Sequence, residues 1–343
     1  SVMLRLSRKV FDFFVKFASK VAHILLSYSF AYKIWAPAFL KPRSRPPAPV
    51  KNEDILIAIS SHRCYLLRMA KKDFSEIESN FLKYFTVGKS FSFENTIFKI
   101  QKCDKPTTGS GEPKTDIYIL GIDSNGVQKE FKISIKLDNA EFLENKISLK
   151  RATEILGDDA QKIIENSTSK IVNNFTNEPL INFKKAGRSK SRVVTLGWKF
   201  ELMNKQSGKK SGKIQLNNIQ KEEVFSGKAS LDKKNAYVHG EIIENSGIAN
   251  YIYIAKGIDV NQDIFNDLIS ISEHAIKSDI YFACKALNYR VDEEKWDGNR
   301  PLAVWVKRKL VKNKLNQVIN FKNPLSTRGN YVANEFLKIL NKL

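Results

Sequence analysis

Cysteine and histidine are too few and too scattered in this sequence to build a disulfide framework or a zinc site. The three cysteines, Cys64, Cys103 and Cys284, form no CxxC pair, and the four histidines lie far apart. An odd, dispersed set of cysteines argues against disulfides and structural zinc. It is typical of a protein of the reducing cytoplasm rather than of a secreted protein.

The sequence also has no hydrophobic run long enough to cross a bilayer. The longest uncharged stretch, residues 21–32, has twelve residues, whereas a spanning helix needs about 20. We therefore expect no stable membrane insertion. The stretch belongs to a basic, aromatic segment, residues 1–50, that ends in a Pro-rich linker. A transit-like segment or an amphipathic helix on a membrane surface remains an open interpretation of it.

Acidic residues are scarce relative to basic ones. The 343 residues include 57 Lys and Arg but 36 Asp and Glu, which gives a formal net charge of +21. Such an excess is typical of proteins that bind a polyanion, either nucleic acid or an anionic membrane. Residues 1–68 hold twelve basic and three acidic residues, so the remainder keeps 45 basic and 33 acidic residues, or +12. The basic character therefore does not depend on this leader.

The spacing of apolar residues predicts helices and short strands in alternation. Apolar side chains recur at helical spacing from Phe74 to Phe85 and predict a helix over residues 72–85. The Asn125-Gly126 pair predicts a hairpin between two strands. The predicted strands are 90–100, 116–122, 129–137, 193–203, 236–243 and 251–255, and the further predicted helices are 149–172, 263–278 and 331–343.

An aspartate and a lysine fall on the two strands of this hairpin. Pro113-Lys114-Thr115-Asp116 lies before the turn and Ser134-Ile135-Lys136 after it. Residues i and i+2 of a strand share a face, so Ser134 and Lys136 point the same way and Asp116 can face them. Phosphodiester hydrolysis needs a hard cation on oxygen ligands, an activated water and neutralisation of the developing charge. This combination of side chains can supply all three.

The two segments resemble the PD-(D/E)xK nuclease superfamily, in particular type II restriction endonucleases that cut CCGG. The resemblance covers roughly residues 72–170, and Ser134 stands where the family usually has an acid. It implies an α/β fold with a restriction-endonuclease-like mixed central sheet flanked by helices and a C-terminal DNA-binding elaboration. It also implies Mg²⁺-dependent cutting of double-stranded DNA at a short specific sequence, by a homodimer if that sequence is palindromic.

The resemblance assigns a role to each residue of the motif. Asp116 binds Mg²⁺. Lys136 positions or helps to deprotonate the attacking water and stabilises the charge of the phosphorane-like transition state. The backbone carbonyl of Ile135 is a further candidate metal ligand. Ser134 coordinates through its hydroxyl or through a metal-bound water. Each side chain also has an ordinary interpretation, as a strand residue that is solvated or paired on the surface.

The missing acid at Ser134 predicts that another carboxylate supplies charge to the site. Glu78 is the first choice, because it borders the buried face of helix 72–85 and the family often places an active-site glutamate on this helix. Glu112 and Glu130 are the second choices. An exposed helix residue with no role in chemistry is the competing interpretation of Glu78.

Basic clusters in the second half of the chain are the expected DNA contacts. Residues 184–213 hold ten Lys or Arg and one acidic residue, which suits phosphate contacts or readout of guanine. Residues 300–314 and 326–330 form two further clusters, although each cluster can also be a solvated surface. The expected contacts are Lys114, Arg188, Lys190, Arg192, Lys209, Lys210, Arg300, Arg308, Arg328 and Asn330.

The chain divides into three segments on this interpretation. Residues 1–68 are a basic leader and linker, dispensable if the native chain starts at Met69; residues 69–180 are the catalytic core; residues 181–343 add the DNA-binding surface and the remaining elements of the same domain. Three alternatives stay open. They are a DNA repair or recombination nuclease, a DNA-binding protein whose catalytic core is degenerate, and a membrane-surface protein that uses the leader.

Overall fold

The computed structural model describes residues 74–138, 141–145, 147–183 and 192–341. All of them belong to one of the two units of the chain, Ala58–Leu343. The leader and two expected DNA contacts, Arg188 and Lys190, lie outside the described residues. Within the described ranges, no helix combines the length and the apolar character needed to cross a bilayer.

Short strands and helices alternate along the described chain. The helices are α1 (74–84), α2 (Leu149–Leu156), α3 (Ala160–Ser169), α4 (Asn173–Thr176), α5 (Asn218–Ser226), α6 (Ile271–Lys277) and α7 (Gly329–Leu340), with 3₁₀ turns at Gln262–Asp267 and Val291–Glu293. The strands are β1 (Ser90–Phe93), β2 (Thr96–Asp104), β3 (Ile117–Asp123), β4 (Gln128–Leu137), β5 (Phe142–Glu144), β6 (Ile181–Asn182), β7 (Val193–Met203), β8 (Ser211–Lys213), β9 (Ala236–Val238), β10 (Glu241–Ile243), β11 (Tyr251–Ala255), β12 (Ile269–Ser270), β13 (Tyr281–Arg290), β14 (Lys295–Trp296), β15 (Pro301–Leu302), β16 (Val304–Val311), β17 (Lys314–Asn320) and β18 (Thr327–Arg328).

The first sheet is mixed and has the strand order β1-β2-β3-β4-β11-β12. Its first four strands are antiparallel, whereas β11 runs parallel to β4. The β3–β4 hairpin forms at the predicted turn, where Gly126 has a φ of +82° and Asp123 Oδ1 accepts from the N–H groups of Asn125 and Val127. One face of the sheet packs against the apolar side of α1.

The second sheet is built around β7 and has the main order β14-β13-β7-β16-β17, with β5 and β6 also paired to β7. The buried side chains of β7 and β13 share one cluster with those of α2, α3, α5 and α6 and with Ile252 of the first sheet. Since both faces of β7 are covered, its sequence is apolar almost without interruption.

The α/β class is confirmed, but the strands are divided between two large sheets rather than gathered in one central sheet. Hydrophobic periodicity predicts that a segment is a strand, and it does not say which strand lies beside it. The predicted helix 149–172 is broken at Gly157, whose φ of +79° ends α2. The predicted strand 236–243 is a hairpin, because His239 and Gly240 both have positive φ.

Candidate active site

Hydrogen bonds from β4 fix the carboxylate of Asp116 at the start of β3. The Asp116 N–H donates to the Ile133 carbonyl at 2.9 Å. Its Oδ2 accepts from the Ile135 N–H at 2.7 Å and, in a longer contact of 3.3 Å, from the Ser134 hydroxyl. Its Oδ1 accepts no hydrogen bond from any residue that the structure describes. One carboxylate oxygen is therefore held in place and the other is left for a ligand.

Ser134 and Lys136 lie on the face of β4 that Asp116 shares, as the alternation predicts. Ile133 and Ile135 point the other way and are fully buried against α1. Asp116 and Lys136 line the same cleft. Burial raises the pKa of Asp116, while the positive charge of Lys136 and the Ile135 N–H oppose that rise. The two residues therefore interact electrostatically across the hairpin.

The carbonyl of Ile135 is placed on the Asp116 side of β4. The Ile135 N–H points to Asp116, and the N–H and C=O of one strand residue point to the same side. Strand β3 begins at Ile117, which pairs with Ile133, so β3 offers no ladder partner at the level of Ile135. This carbonyl oxygen therefore lies on the Asp116 side of β4 without a ladder partner in β3.

Glu78 is close to the site, but its carboxylate forms an ion pair with a lysine. The side chain is only 8% exposed, and both oxygens accept from Lys105 Nζ at 2.7 Å. Burial raises the pKa of Glu78 against the effect of Lys105, and the negative charge of Asp116 adds to the rise. Lys105 also acts to lower the pKa of Asp116. A cation thus lies within electrostatic reach of both carboxylates, and nothing in the sequence pattern points to Lys105.

The second choices for the acid differ in their placement. Glu112 lines the cleft beside Asp116. Glu130 lies further along β4, where it accepts from the Tyr118 hydroxyl at 2.6 Å and pairs with Lys132 at 3.3 Å. Glu130 is thereby engaged in structural contacts, whereas Glu112 is exposed at the mouth of the cleft.

A cleft of about 590 Å³ surrounds Asp116 and Lys136. Its walls carry charges of both signs that sequence reasoning missed, because they come from segments distant in the chain. Lys136 and Lys233 form no ion pair with any described residue, so two ammonium groups face the cleft without a bound carboxylate. The missed charged residues of the walls are Glu144, Lys150, Arg151, Glu154, Asp232 and Lys233.

A buried ion-pair network supports one wall of the cleft. Glu144 accepts from Lys114 at 2.8 Å and from Arg151 at 2.7 Å, and Arg151 also reaches Glu223 at 2.8 Å. Burial acts to raise the pKa of Glu144, but Lys114 and Arg151 outweigh it and lower that pKa. Glu144 is therefore ionised at neutral pH.

Lys114, an expected DNA contact, belongs to this network instead. Its ammonium pairs with Glu144 and donates to the Leu143 carbonyl at 3.3 Å. Burial lowers its pKa, opposed by Glu144. The structure thus places this expected DNA contact in an ion pair at the wall of the cleft, and its role towards DNA remains a prediction.

Gly247 holds the backbone that precedes Asp116. Its carbonyl accepts from the N–H groups of Lys114 and Thr115 at 3.1 and 3.3 Å, and its own N–H donates to Lys234 O at 2.8 Å. A Cβ at Gly247 would lie 1.9 Å from the Lys233 carbonyl oxygen. The close approach of two backbones therefore requires glycine at this position.

We expect Gly247→Ala to lower the melting midpoint, because the added methyl group forces the two backbones apart at a cost of about 1–3 kcal/mol. Gly109→Ala is the matched control, since a Cβ there meets no heavy atom within 4 Å. Thermal melting followed by circular dichroism checks this. Equal midpoints for the two variants would show that the segment does not depend on the close approach.

Arg308, another expected DNA contact, is buried rather than exposed. The side chain is 8% exposed in the second sheet. It donates to the Thr195 carbonyl at 2.7 Å and to Gln317 Oε1 at 2.9 Å, and its guanidinium lies 5.4 Å from the ring centre of Phe336. Burial lowers its pKa to about 10. The prediction for Arg308 is wrong, because it falls on the inward face of β16.

Two further expected contacts are exposed and lie together. Strand β18 pairs with β15 so that Arg328 faces Pro301, and the Gly329 N–H donates to the Arg300 carbonyl at 2.9 Å. Arg300 and Arg328 are thereby neighbours, and Asn330 follows them at the start of α7. This proximity could not be seen in the sequence, where 28 positions separate the two arginines.

The remaining described candidates for DNA contacts differ in whether their side chains already form an ion pair. Arg192 is exposed but pairs with Asp292 through two guanidinium nitrogens at 2.8 and 2.6 Å. Lys210 pairs with Glu178, whereas Lys209 is exposed with no ion pair in the described chain. Arg192 precedes β7. At the other end of β7, Leu202 lies opposite Glu144 of the neighbouring strand β5. Ten residues of strand separate Arg192 from Leu202, roughly 33 Å, so the structure does not bring Arg192 to the cleft.

The residues around Asp116 fit a Mg²⁺ ion in the kind of ligand they offer. Mg²⁺ takes oxygen ligands and keeps several waters, so one or two carboxylates suffice. Asp116 Oδ1 and the Ile135 carbonyl are oxygen atoms without a described partner. The described residues contain no group of three or more His, Cys, Asp or Glu side chains placed to hold a metal. The metal-binding roles of Asp116, Ile135 and Glu78 remain predictions.

Comparison with known proteins gives no relative from which a role could be carried over. No family model, no curated protein and no solved structure matches this chain.

Proposed function

We propose that this protein is a Mg²⁺-dependent endonuclease that hydrolyses phosphodiester bonds of double-stranded DNA at a short specific sequence, as type II restriction endonucleases do. One observation carries the proposal. The carboxylate of Asp116, held by the Ile135 N–H, and the ammonium of Lys136 line one cleft. We further propose that it acts in the cytoplasm, and as a homodimer if its target sequence is palindromic.

The residues of the site have separate roles in the proposed hydrolysis. The Ile135 N–H and the Ser134 hydroxyl orient Asp116 through Oδ2, which leaves Oδ1 and the Ile135 carbonyl as the candidate ligands. These two oxygens would hold Mg²⁺, which when bound polarises a phosphate and acidifies a coordinated water. Glu78 would join them only after Lys105 releases it. The orientation of Asp116 is therefore built before any ligand arrives.

Lys136 supplies the positive charge that the reaction requires. Its ammonium has no carboxylate partner among the described residues, so it can donate hydrogen bonds to a phosphate oxygen and to the attacking water. A fixed cation in a partly buried cleft stabilises developing negative charge more than it would in water. Lys233 is a second unpaired ammonium of the same cleft, suited to an adjacent phosphate.

A second function is a DNA-binding protein without catalysis. The observation that favours it is the ion pair between Glu78 and Lys105, which occupies the carboxylate that would otherwise join Asp116 in holding a metal. Ser134 cannot replace the missing negative charge. A repair or recombination nuclease would use the same residues and differs in the DNA that it cuts.

We expect the purified chain to convert supercoiled plasmid to discrete fragments with Mg²⁺ and to leave it intact in EDTA. Lys136→Met should reduce the rate by at least about a hundredfold, the scale of one lost charge-stabilising donor. Lys132→Met is the matched control, since Lys132 lies on the same face of β4 but pairs with Glu130. Cutting of branched DNA alone would indicate repair. Plasmid that is bound but uncut at any metal concentration would support the second function.

A further inference from the structure

Residues 298–334 contain no Asp or Glu and eight Lys or Arg. This is a basic segment in a chain that elsewhere pairs most of its buried charges. Within it, none of Lys307, Lys309, Lys312 and Lys314 forms an ion pair with a described residue, and all four are exposed. A concentration of unpaired cations of this kind is the electrostatic footprint of a polyanion partner.

The four lysines lie on a two-stranded ribbon. Strands β16 and β17 pair from Trp305–Asn320 to Val311–Lys314, whereas β16 bonds to β7 only at Val304 and Trp305. The turn residues between the strands, Lys312 and Asn313, have φ of +50° and +56°. Two central residues with positive φ make a tight type I′ turn, which matches the twist of the flanking strands. The ribbon therefore continues past its contact with β7.

The two faces of the ribbon are chemically different. The inward face carries Arg308 and Gln317, which bond to each other, and Arg308 anchors the ribbon to the Thr195 carbonyl. Cross-strand partners share a face. The pairs Lys307–Val318 and Lys309–Asn316 therefore both point outward, away from the sheet. An asparagine amide thus lies between ammonium groups on an exposed surface.

We propose that the outward face of this ribbon lies in the major groove of duplex DNA. The lysines contact phosphates, and Asn316 faces the base edges. The major groove of B-DNA is wide enough for a two-stranded β-ribbon, and an asparagine amide can bond to adenine there. This inference rests on the proposed function in that it takes DNA as the substrate.

Other polyanions fit the ribbon less well. An RNA duplex has a major groove too deep and narrow for side chains to read. A membrane-surface element needs an apolar face that can enter the bilayer. Here the inward face is anchored to protein, and the outward face offers Val311 and Val318 among lysines. Charge and shape together favour duplex DNA.

The lysines of the ribbon lie about one helical turn of DNA from the cleft wall. Strand β16 runs antiparallel to β7, so the ribbon extends from its contact with Gly197 towards Val193, the end of β7 opposite to the one where Leu202 faces Glu144 in the cleft wall. Lys309 is thereby near the level of Val193, nine strand residues or roughly 30 Å from Leu202, which is close to the 34 Å turn of B-DNA. A duplex longer than one turn can therefore contact both the cleft and the ribbon.

The test replaces Lys307, Lys309, Lys312 and Lys314 by Gln and measures binding to a 30-base-pair duplex by fluorescence anisotropy in EDTA, where no cutting occurs. We expect the affinity to fall by at least about tenfold. The slope of log K against log salt should flatten by about 3.6, or about 0.9 per phosphate contact. The control removes the same charge from four other exposed lysines without ion pairs, namely Lys83, Lys99, Lys162 and Lys170.

The control variant should bind within about twofold of the wild type. Lys309→Glu is a single change at an exposed position and should also weaken binding. This result would show that the weaker binding of the fourfold variant does not come from misfolding. Guanine N7, which lies in the major groove, should be protected from dimethyl sulfate by the wild type and exposed again in the fourfold variant. Each of these results supports the ribbon as a major-groove element.

Equal affinity and equal salt slope in the fourfold and control variants would overturn the proposal. So would loss of binding to vesicles of anionic lipid with unchanged binding to the duplex. Failure of the nuclease proposal has a different signature, because DNA then binds through the ribbon but stays uncut with Mg²⁺. Cutting that needs Lys136 but not the ribbon lysines would reject the ribbon and retain the nuclease.

Discussion

Asp116→Asn should abolish DNA cleavage while leaving the protein folded. An amide oxygen can still accept from the Ile135 N–H and the Ser134 hydroxyl, so the local geometry is kept. The negative charge that would hold Mg²⁺ is lost, and with it several kcal/mol of transition-state stabilisation. At about 1.4 kcal/mol per factor of ten, we expect a loss of at least about a thousandfold. Single-turnover cleavage of a labelled duplex measures it.

The same variant should be more stable than the wild type at neutral pH in EDTA. Burial raises the pKa of Asp116 above its ordinary value of 3.8. At a pH between 3.8 and this raised pKa, the folded protein still binds a proton that the unfolded chain has released. The stability contributed by this carboxyl therefore falls as pH rises through that interval, and the cost persists above it. The gain in melting midpoint should shrink as pH is lowered towards 4.

Asp158→Asn is the control, because Asp158 is an exposed residue ahead of α3 with no ion pair in the described chain. It should cut and melt like the wild type. Cleavage by Asp116→Asn at the rate of this control would remove Asp116 from the chemistry. A lower midpoint for Asp116→Asn at neutral pH would show that its charge stabilises the fold, contrary to the effect of burial.

Arg151→Met should be the most destabilising of the changes considered. The Arg151 side chain is 16% exposed and contacts Glu144, Glu154 and Glu223. Burial acts to lower the pKa of this guanidinium, but Glu144 and Glu223 outweigh it and raise that pKa. Removal of the cation leaves buried carboxylates without their main partner. Loss of one side of a buried ion pair costs about 3–5 kcal/mol, which urea unfolding should detect.

Lys150→Met is the matched control for that experiment. Lys150 precedes Arg151 on α2 and also pairs with Glu154, at 3.7 Å, but its side chain is 69% exposed. Salt and water screen such a surface pair, so we expect little change in the urea midpoint. Similar midpoints for the two variants would mean that the network under the cleft wall does not support the fold.

Strand alternation explains why the centre of the site could be predicted from sequence. The period of a strand is local, so the sequence of β4 alone places Ser134 and Lys136 on one face and Ile135 in the core. The Asn125-Gly126 turn sets the register that brings Asp116 opposite them. These three features need no knowledge of distant segments, and the structure agrees with each of them.

Contacts between distant segments explain why the rest could not be predicted. Lys114 looks exposed in a Gly- and Ser-rich stretch, yet Glu144 and Gly247 close around it from 30 and 133 positions away in the sequence. Arg308 belongs to a basic cluster, but the register of β16 turns it inward while Lys307 and Lys309 face out. Composition identifies a basic segment, and only the register decides which of its cations are free.

The pairing of strands into two sheets is a further property that local patterns do not contain. Strand β7 is long and apolar, which is equally compatible with a place in the first sheet. Its partners β13, β5 and β16 come from three different parts of the chain. Long-range pairing therefore separates the cleft from the Arg192 end of the molecule, which the sequence had grouped with it.

Electron paramagnetic resonance of Mn²⁺, added to the full chain with excess duplex DNA, tests most directly whether Asp116 and the Ile135 carbonyl form a divalent-cation site. We expect one Mn²⁺ bound per chain beyond that held by DNA alone, lost in Asp116→Asn and retained in Lys136→Met. Mn²⁺ binding that is unchanged by Asp116→Asn, or absent from wild-type protein bound to DNA, would contradict it.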